Sequence, residues 1–319
     1  MPFVPRATKL TGDGCCAEPL WLADGSGIVY YGYAGVGGGQ LGTWAVPRDG
    51  GAARPFSPHY GAFSPDRTLV AYREGGVTHI ARSDGTPLGD LDTGDALLQI
   101  APTNDRIAWQ VSAPGVAQVS TSLEPPARIA VATIGPNGVG GVRVLPPIVR
   151  TEMVTWFPDG RRLAFGMRDA GGASGGIAVL DTETGSLTVI VAGLFLDSVA
   201  VAPDGRSLVY TATLQRQPTE NGIWLVQADG GGRRRLDITG GYRWLPDGRG
   251  LVYVPAPAAG PTDELWLLTL ADGAKRPLVT AAQARFLIAG ADWALAPSGT
   301  AIVFRAANDG AIWTVRWGP

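Results

Sequence analysis

The most unusual chemical feature of the chain is a pair of adjacent cysteines, Cys15 and Cys16, which are its only two. Neighbouring cysteines cannot join distant segments, so they can form a vicinal disulfide, stay reduced or bind a soft metal ion. A disulfide would create a rigid apolar platform that could contact a ligand or act as a redox switch. The alternative is structural, because two reduced cysteines behave as small hydrophobic side chains and a disulfide can simply brace the chain.

Acid–base chemistry could come from one histidine and from several carboxylates. His59 could transfer a proton or contact a ligand, or it could be a partly exposed loop residue. His79 takes the position that tryptophans hold in the equivalent strands, so we expect it to have a structural role in blade packing. Two carboxylates could together cleave a glycosidic bond or bind Ca²⁺, although no spacing places a particular pair together. The candidates are Glu18, Asp95, Glu152, Asp197 and Asp292.

The elements that must position these residues are built from one hairpin motif, represented by residues 156–160, Trp-Phe-Pro-Asp-Gly. Proline presets φ for the turn, aspartate can accept a hydrogen bond from the backbone, and glycine tolerates a positive φ. Apolar strands precede and follow the turn, which is typical of a β-hairpin. Copies of the motif recur along the chain, and the third is degenerate. They begin at Trp21, Phe63, Ile100, Trp156, Val201, Trp244 and Leu295.

The repeats predict an all-β, seven-bladed β-propeller with four-stranded antiparallel blades. After each motif come a third strand that often contains tryptophan, a second tight turn and a fourth strand, at a spacing near the roughly 40–45 residues of a propeller blade. The last repeat lacks a fourth strand, whereas residues 5–11 resemble one. We therefore expect the N-terminal strand to complete the last blade and close the ring, so that residues 1–319 form a single domain.

The Pro-Asp-Gly hairpin and an Ile-Trp third strand, as in Ile223-Trp224 and Ile312-Trp313, resemble the WD40-like (PD40) repeat of the TolB family. The resemblance covers nearly the whole chain and implies the propeller fold. TolB also carries an α/β domain, and prolyl-oligopeptidase-type enzymes carry a hydrolase domain. This chain has no room for either domain, so neither activity is implied. Seven-bladed lyases that resemble this fold use histidine-rich metal sites, which two histidines cannot supply.

Composition excludes several kinds of partner. The net charge of −2 offers no basic excess for nucleic acid. No apolar run approaches the roughly 18 residues that a membrane span needs, so we expect no membrane insertion. The N-terminus shows no signal peptide; a periplasmic or extracellular location is expected if one was removed, and a cytoplasmic location otherwise. We expect a monomer with no cofactor and no metal site.

The loops that enter the first strand of each blade should surround the mouth of the central channel. Their mixture of polar and aromatic side chains is typical of ligand sites on a rigid scaffold. We therefore predict a non-enzymatic module that binds a small ligand, a glycan or a protein. The alternative is a saccharide-active lyase or hydrolase that uses His59 and the carboxylates, and a third possibility is a scaffold without a small-molecule site. The candidate ligand-binding residues are Cys15, Cys16, Glu18, His59, Tyr60, Glu152, Tyr242, Arg243, Asp292 and Trp293.

Overall fold

The computed structural model describes residues 4–33, 40–94, 96–112, 127–151, 154–169, 172–256 and 262–318. It confirms the all-β, seven-bladed propeller with four-stranded antiparallel blades. Within the described residues the helical content is one 3₁₀ turn, Pro218–Glu220, and no helix there is long and apolar enough to cross a membrane. The chain divides into two compact units, which are Met1–Tyr60, Ser83–Gly85 and Ile238–Pro319, and Gly61–Arg82 and Thr86–Asp237. That residues 1–319 form a single domain remains a prediction.

The first four blades follow the order of the repeats. Strand β1 is Arg6–Lys9. Blade one contains β2 Cys16–Trp21, β3 Gly27–Tyr33, β4 Leu41–Pro47 and β5 Arg54–Ser57, and blade two contains β6 Ala62–Phe63, β7 Leu69–Glu74, β8 Val77–Arg82 and β9 Pro87–Leu91. Blade three contains β10 Leu98–Ile100, β11 Arg106–Ser112, β12 Ala127–Gly135 and β13 Gly138–Val144. After β14 Val149–Arg150, blade four contains β15 Thr155–Trp156, β16 Arg162–Asp169, β17 Gly175–Asp181 and β18 Leu187–Ala192.

The remaining three blades are regular. Blade five contains β19 Leu196–Val201, β20 Ser207–Ala212, β21 Gly222–Gln227 and β22 Arg234–Leu236, and blade six contains β23 Gly241–Trp244, β24 Gly250–Val254, β25 Leu265–Thr269 and β26 Lys275–Val279. Blade seven contains β27 Ile288–Leu295, β28 Ala301–Ala306 and β29 Ile312–Arg316. One irregularity was not anticipated: β14 pairs with both β12 and β16, so that blades three and four share a continuous sheet.

The N-terminal strand completes the last blade, as the sequence predicts. Strand β1 pairs antiparallel with β29, with Arg6 opposite Arg316 and Lys9 opposite Trp313. The pairing continues where the Leu10 backbone N–H donates to the Ile312 carbonyl over 2.9 Å. These bonds satisfy the backbone groups along β29 that would otherwise form an unpaired edge.

The repeated turns form for the reason that the motif suggests. In the fourth repeat, the Asp159 carboxylate accepts the backbone N–H of Arg161 at 2.8 Å and that of Arg162 at 3.0 Å. Gly160 has φ = +64°, and its N–H donates to the Phe157 carbonyl over 3.1 Å. In the degenerate third repeat Asn104 takes the glycine position with φ = +60°, because asparagine tolerates the left-handed region better than most residues.

Apolar side chains between the sheets form the core. In the first unit one cluster joins Trp21, Ile28 and Tyr30 of blade one to Val303 and Ile312 of blade seven. In the second unit Trp156 and Phe165 belong to a cluster that also holds residues of blade three. Burial of these large side chains supplies the main stabilising free energy and makes the ends of the first strands a rigid support.

Candidate functional site

Three polar side chains from successive repeats meet in the first unit. Asp292, Glu18 and Tyr60 each lie three residues before the first residue of a hairpin motif, namely Leu295, Trp21 and Phe63. The Tyr60 hydroxyl donates to Glu18 Oε1 over 2.8 Å. The Glu18 backbone N–H in turn hydrogen-bonds to the Asp292 carboxylate. The propeller repeat thus aligns two carboxyl groups and one phenol in a connected chain, which we call the acid–base cluster.

Backbone bulges present the two carboxylates. In β2 the pairing with β3 shifts between Ala17 and Leu20, and Glu18 within this bulge has φ = +53°. In β27 the pairing with β28 shifts between Ile288 and Trp293, and Asp292 lies within that irregularity. A bulge re-aims a side chain, and a left-handed backbone at a residue other than glycine costs free energy. The fold therefore holds Glu18 in a conformation that local preference alone would not select.

Tyr60 is held by a second aromatic ring. Its ring stacks on that of Tyr31 with 3.9 Å between the centroids. Partial burial, together with the hydrogen bond to Glu18 and its negative charge, raises the pKa of Tyr60 to about 12. The phenol is therefore protonated at neutral pH and donates a hydrogen bond to the Glu18 carboxylate. The pair Tyr31–Tyr60 also presents aromatic surface, since Tyr60 is 43% exposed.

Asp292 has the environment of a proton donor. Burial raises its pKa, and the negative charge of Glu18 acts in the same direction. Arg305 opposes this effect, because its Nε lies 3.3 Å from Asp292 Oδ2. The Glu18 backbone N–H also stabilises the charged form, so that burial outweighs two opposing contacts. A carboxyl group with a raised pKa beside another carboxylate is the arrangement that general acid catalysis uses.

Arg243 braces the backbone on both sides of Asp292. Its guanidinium donates to the carbonyl oxygens of Ala291 and Trp293, over 3.3 Å and 3.0 Å respectively. It also lies over the Trp293 ring at 4.5 Å from the centroid, and burial lowers its pKa. Trp293 itself is buried, as is Tyr242. We therefore assign Arg243 a positioning role toward Asp292, whereas ligand contact by Tyr242, Arg243 and Trp293 remains a prediction.

The two cysteines form a vicinal disulfide, and Ala17 separates it from Glu18 in the sequence. Cys15 is 8% exposed and Cys16 is 7% exposed, and both belong to the apolar cluster between blades one and seven. Cys16 pairs with Gly32 in the sheet, and the Cys15 carbonyl accepts the Tyr33 N–H over 3.2 Å. The disulfide therefore packs against the core below the bulge, and its use as a ligand platform remains a prediction.

The two histidines lie in different surroundings. His59 is half-buried; its backbone N–H donates to Ser57 Oγ over 3.1 Å and its carbonyl accepts the Thr43 hydroxyl over 2.8 Å. A Cβ added at Gly85 would lie 4.0 Å from His59 Nε2, so the imidazole faces that turn. His79 lies in β8, where its Nδ1 is 2.7 Å from Asp90 Oδ1. This is the structural position that the tryptophan spacing predicts.

Two of the predicted candidates lie outside the described residues, namely Glu152 and Asp95. Asp197 lies in β19, beside a bulge whose register matches that of β2. Ser198 takes the place of Glu18 there and has φ = +52°. Across the described ranges, no group of three or more histidine, cysteine, aspartate or glutamate side chains could hold a metal ion.

The candidate residues of the acid–base cluster could be identified from the sequence, but their association could not. The motif alignment contains the relevant signal, because Asp292, Glu18 and Tyr60 share one repeat position. The supporting residues Arg305 and Tyr31 share another repeat position, directly after the aromatic residue of the second strand of their blades. The sequence does not reveal either grouping, because the bulges that contain Glu18 and Asp292 leave no pattern in residue type.

Comparison with known proteins shows the fold. No family model matches the chain, and no curated protein matches its sequence. An oligogalacturonate lyase in complex with manganese is 13% identical over 100% of this chain and 97% of its own, with a TM-score of 0.67. The oligogalacturonate lyase of Vibrio parahaemolyticus is 12% identical over 99% and 97%, with a TM-score of 0.67. The β-propeller domain of Cps50 (Swd1) from Myceliophteria thermophila is 12% identical over 98% and 99%, with a TM-score of 0.61.

These comparisons support the WD40-like propeller and correct the predicted function. Our first prediction, a non-enzymatic binding module, is wrong: two of the similar structures are oligogalacturonate lyases. The prediction failed because it rested on the shortage of histidines and on the absence of a fixed carboxylate spacing. The fold brings carboxylates together from separate repeats, so their spacing along the chain carries no information about their distance.

Proposed function

We propose that the protein is a saccharide-active enzyme that cleaves glycosidic bonds by acid–base chemistry at the acid–base cluster. The observation that carries this proposal is the connected chain from Asp292 through Glu18 to Tyr60, formed by equivalent positions of three repeats. Paired carboxyl groups with different environments are the usual machinery of glycosidic bond cleavage. The exposed aromatic surface of Tyr60 and Tyr31 beside them suits the apolar face of a sugar ring.

In a hydrolytic reaction the roles follow from the environments of the two carboxyl groups. Asp292, with its raised pKa, donates a proton to the departing glycosidic oxygen as the bond from carbon to that oxygen breaks. Glu18 takes a proton from water, whose oxygen forms the new bond to the anomeric carbon. The Tyr60 hydroxyl orients the Glu18 carboxylate. Arg243 fixes Asp292 through the neighbouring carbonyl groups, so it acts as a positioning residue.

A second candidate reaction is β-elimination on a uronic acid, which we consider because two of the similar structures are named oligogalacturonate lyases. Here Glu18 would take the proton from the carbon beside the substrate carboxylate, and Asp292 would protonate the departing oxygen as the double bond forms. Arg305 is 42% exposed and could offset the substrate charge. The manganese named for one similar structure finds no matching donor group among the residues described here, so neither scheme includes a metal.

We also infer that the chain is related to the TolB-type propellers, although that finer assignment rests on the repeated motif alone. The Pro-Asp-Gly turns, with aspartate accepting backbone N–H groups, recur at Asp159, Asp204 and Asp247. These turns determine the fold and leave the chemistry to the other ends of the strands. A TolB-type ancestry is therefore compatible with catalysis at the acid–base cluster.

The proposed function can be tested by incubating the purified chain with neutral and uronate-containing oligosaccharides. New reducing ends without ultraviolet absorbance would indicate hydrolysis, whereas new reducing ends with the absorbance of an unsaturated uronate would indicate elimination. Ser198→Ala is a matched control, because Ser198 holds the repeat position of Glu18 in blade five. Activity that is lost in Glu18→Gln and kept in Ser198→Ala supports the proposal. Equal activity in the two variants would refute it.

A further inference from the structure

A groove lies on blade one, outside the acid–base cluster. This groove has a volume of about 390 Å³, which is within the usual range of small-ligand sites. Its walls combine apolar and polar surface, as sugar-binding sites do. The apolar part comes from Leu41, Trp44, Phe56 and Pro58, and Asp84 is among the polar residues that line the groove.

Trp44 in this groove differs from the residues at the same position of other repeats. The ring nitrogen of Trp224 donates to the Glu220 carbonyl over 2.9 Å, and that of Trp266 donates to Glu264 Oε2 over 3.1 Å. Trp44 Nε1 is buried and has no acceptor within the part of the chain that the structure describes. A buried N–H group without a partner is costly and uncommon.

The missing acceptor corresponds to a missing side chain. In blade six the acceptor is Glu264, two residues before Trp266, whereas in blade one the residue two before Trp44 is Gly42. A Cβ added at Gly42 would lie 3.4 Å from Trp44 Nε1. The glycine therefore leaves room beside the indole where an acceptor atom of a ligand could lie.

Two residues that line the groove connect it to the surroundings of the acid–base cluster. Thr43, which lines the groove, is the cross-strand partner of Tyr31, and Tyr31 stacks on Tyr60. Pro58 of the groove precedes Tyr60 by two residues, which span at most about 7 Å of extended chain. A chain-like substrate with one sugar unit at Tyr60 could therefore extend into the groove.

We propose that this groove is a subsite for the neighbouring sugar units of an oligosaccharide, with Trp44 donating its N–H to a sugar hydroxyl and packing beside the ring. The inference rests on the proposed function and adds a substrate class, namely oligosaccharides rather than monosaccharide derivatives. The ligand supplies the acceptor that Glu264 supplies in blade six.

The test uses three variants of the whole chain. Gly42→Glu copies the arrangement of blade six, so it should satisfy the Trp44 N–H while filling the groove. Trp44→Phe removes the donor, and Trp266→Phe is the matched control at the equivalent position in blade six. Thermal unfolding shows whether each variant folds. The rate constant kcat/KM is measured on oligosaccharides of increasing length, neutral and uronate-containing.

The wild type should prefer longer chains. Both groove variants should lower the ratio of kcat/KM on long to short substrates about five- to tenfold, the loss expected for one hydrogen bond, whereas Trp266→Phe should retain it. The wild type could cleave oligosaccharides while folded Gly42→Glu and Trp44→Phe keep the same preference for chain length. That result would overturn the assignment of the groove as a subsite and leave the proposed function intact.

If the wild type cleaves no oligosaccharide of the series, the proposed function fails. Calorimetric titration with the same series then shows whether the groove binds oligosaccharides. Binding that strengthens with chain length and is lost in Gly42→Glu would support the subsite. No binding, or binding that Gly42→Glu leaves unchanged, would overturn it.

Discussion

The Tyr60 hydroxyl donates to Glu18 Oε1 over 2.8 Å, although 42 residues separate the two along the chain. Both residues precede a hairpin motif by the same three positions, so the propeller repeat itself brings them together. Substitution of Tyr60 by phenylalanine keeps the stacking on Tyr31 and removes only the donor. We expect kcat to fall about 10- to 100-fold, the effect of losing one hydrogen bond to a charged group. Tyr33→Phe, an exposed tyrosine of the same strand as Tyr31, should leave kcat unchanged.

In a plot of kcat against pH, the alkaline limb should depend on Asp292 and Arg305. Burial raises the pKa of Asp292, and Arg305 holds it lower than burial alone would. A general acid must be protonated, so kcat should fall as pH rises through this pKa. Arg305→Gln removes the opposing positive charge and should move the limb to higher pH, by an amount that solvent screening reduces because the pair is partly exposed. A limb that stays in place, or moves to lower pH, would exclude Asp292 as the acid.

Two aspartates should affect stability with opposite dependence on pH. For Asp181, burial alone would raise the pKa, but the Arg161 side chain and the N–H groups of Thr184 and Glu183 lower it to about 2. Its contribution to stability is present above the unfolded pKa of about 4 and is lost as pH falls toward 2. Asp181→Asn should therefore lower the free energy of unfolding at neutral pH by about 1–2 kcal/mol, and less at pH 2.

Asp292 should change the free energy of unfolding with pH in the opposite direction. Because its folded pKa is raised, its protonated form is favoured in the folded state, and stability is lost as pH rises through that pKa. Asp292→Asn should be at least as stable as the wild type at neutral pH while it loses activity. Denaturant unfolding of both asparagine variants across pH 2–7 tests the pair. The same pH dependence for both would contradict the opposite environments assigned to them.

The closing strand should contribute to stability through its buried end. Leu10 is 9% exposed and packs in the cluster that contains Trp21 and Ile312, whereas Arg6 is exposed. Leu10→Ala should lower the free energy of unfolding by about 2–4 kcal/mol, and Arg6→Ala by less than about 0.5 kcal/mol. Equal effects of the two substitutions in chemical denaturation would show that β1 does not complete blade seven as a packed strand.

The disulfide predicts a specific pattern of alkylation. Cys15 and Cys16 are bonded and less than a tenth exposed, so the native protein should not react with a thiol reagent. After unfolding and reduction, both should be modified, and intact mass measures the difference. Modification of the native protein without a reductant would show that the two thiols are free. In that case the bulge at Glu18 would have to form without a brace.

The fold can be predicted from features that are visible in the sequence. Proline, aspartate and glycine at fixed offsets define the turns, and the copy without a fourth strand indicates that residues 5–11 complete the last blade. The acid–base cluster depends on less visible features. Glu18 reaches Tyr60 because a bulge gives Glu18 a positive φ. The residue type does not predict this bulge, since blade five forms the same bulge with Ser198. The two-residue strand β14, which joins blades three and four, pairs with blade three only where Val149 lies opposite Ala127, and it likewise lacks a sequence signal.

The most direct test of the central claim compares one repeat position in two blades. Glu18 and Ser198 occupy equivalent bulges, with φ values of +53° and +52°. On the oligosaccharide that the wild type cleaves best, kcat of Glu18→Gln should fall about 100-fold or more, as expected for loss of a catalytic base. Ser198→Ala should keep the wild-type value. Cleavage by Glu18→Gln at the wild-type rate, or the absence of any cleavage by the wild type, would contradict an acid–base centre at Glu18.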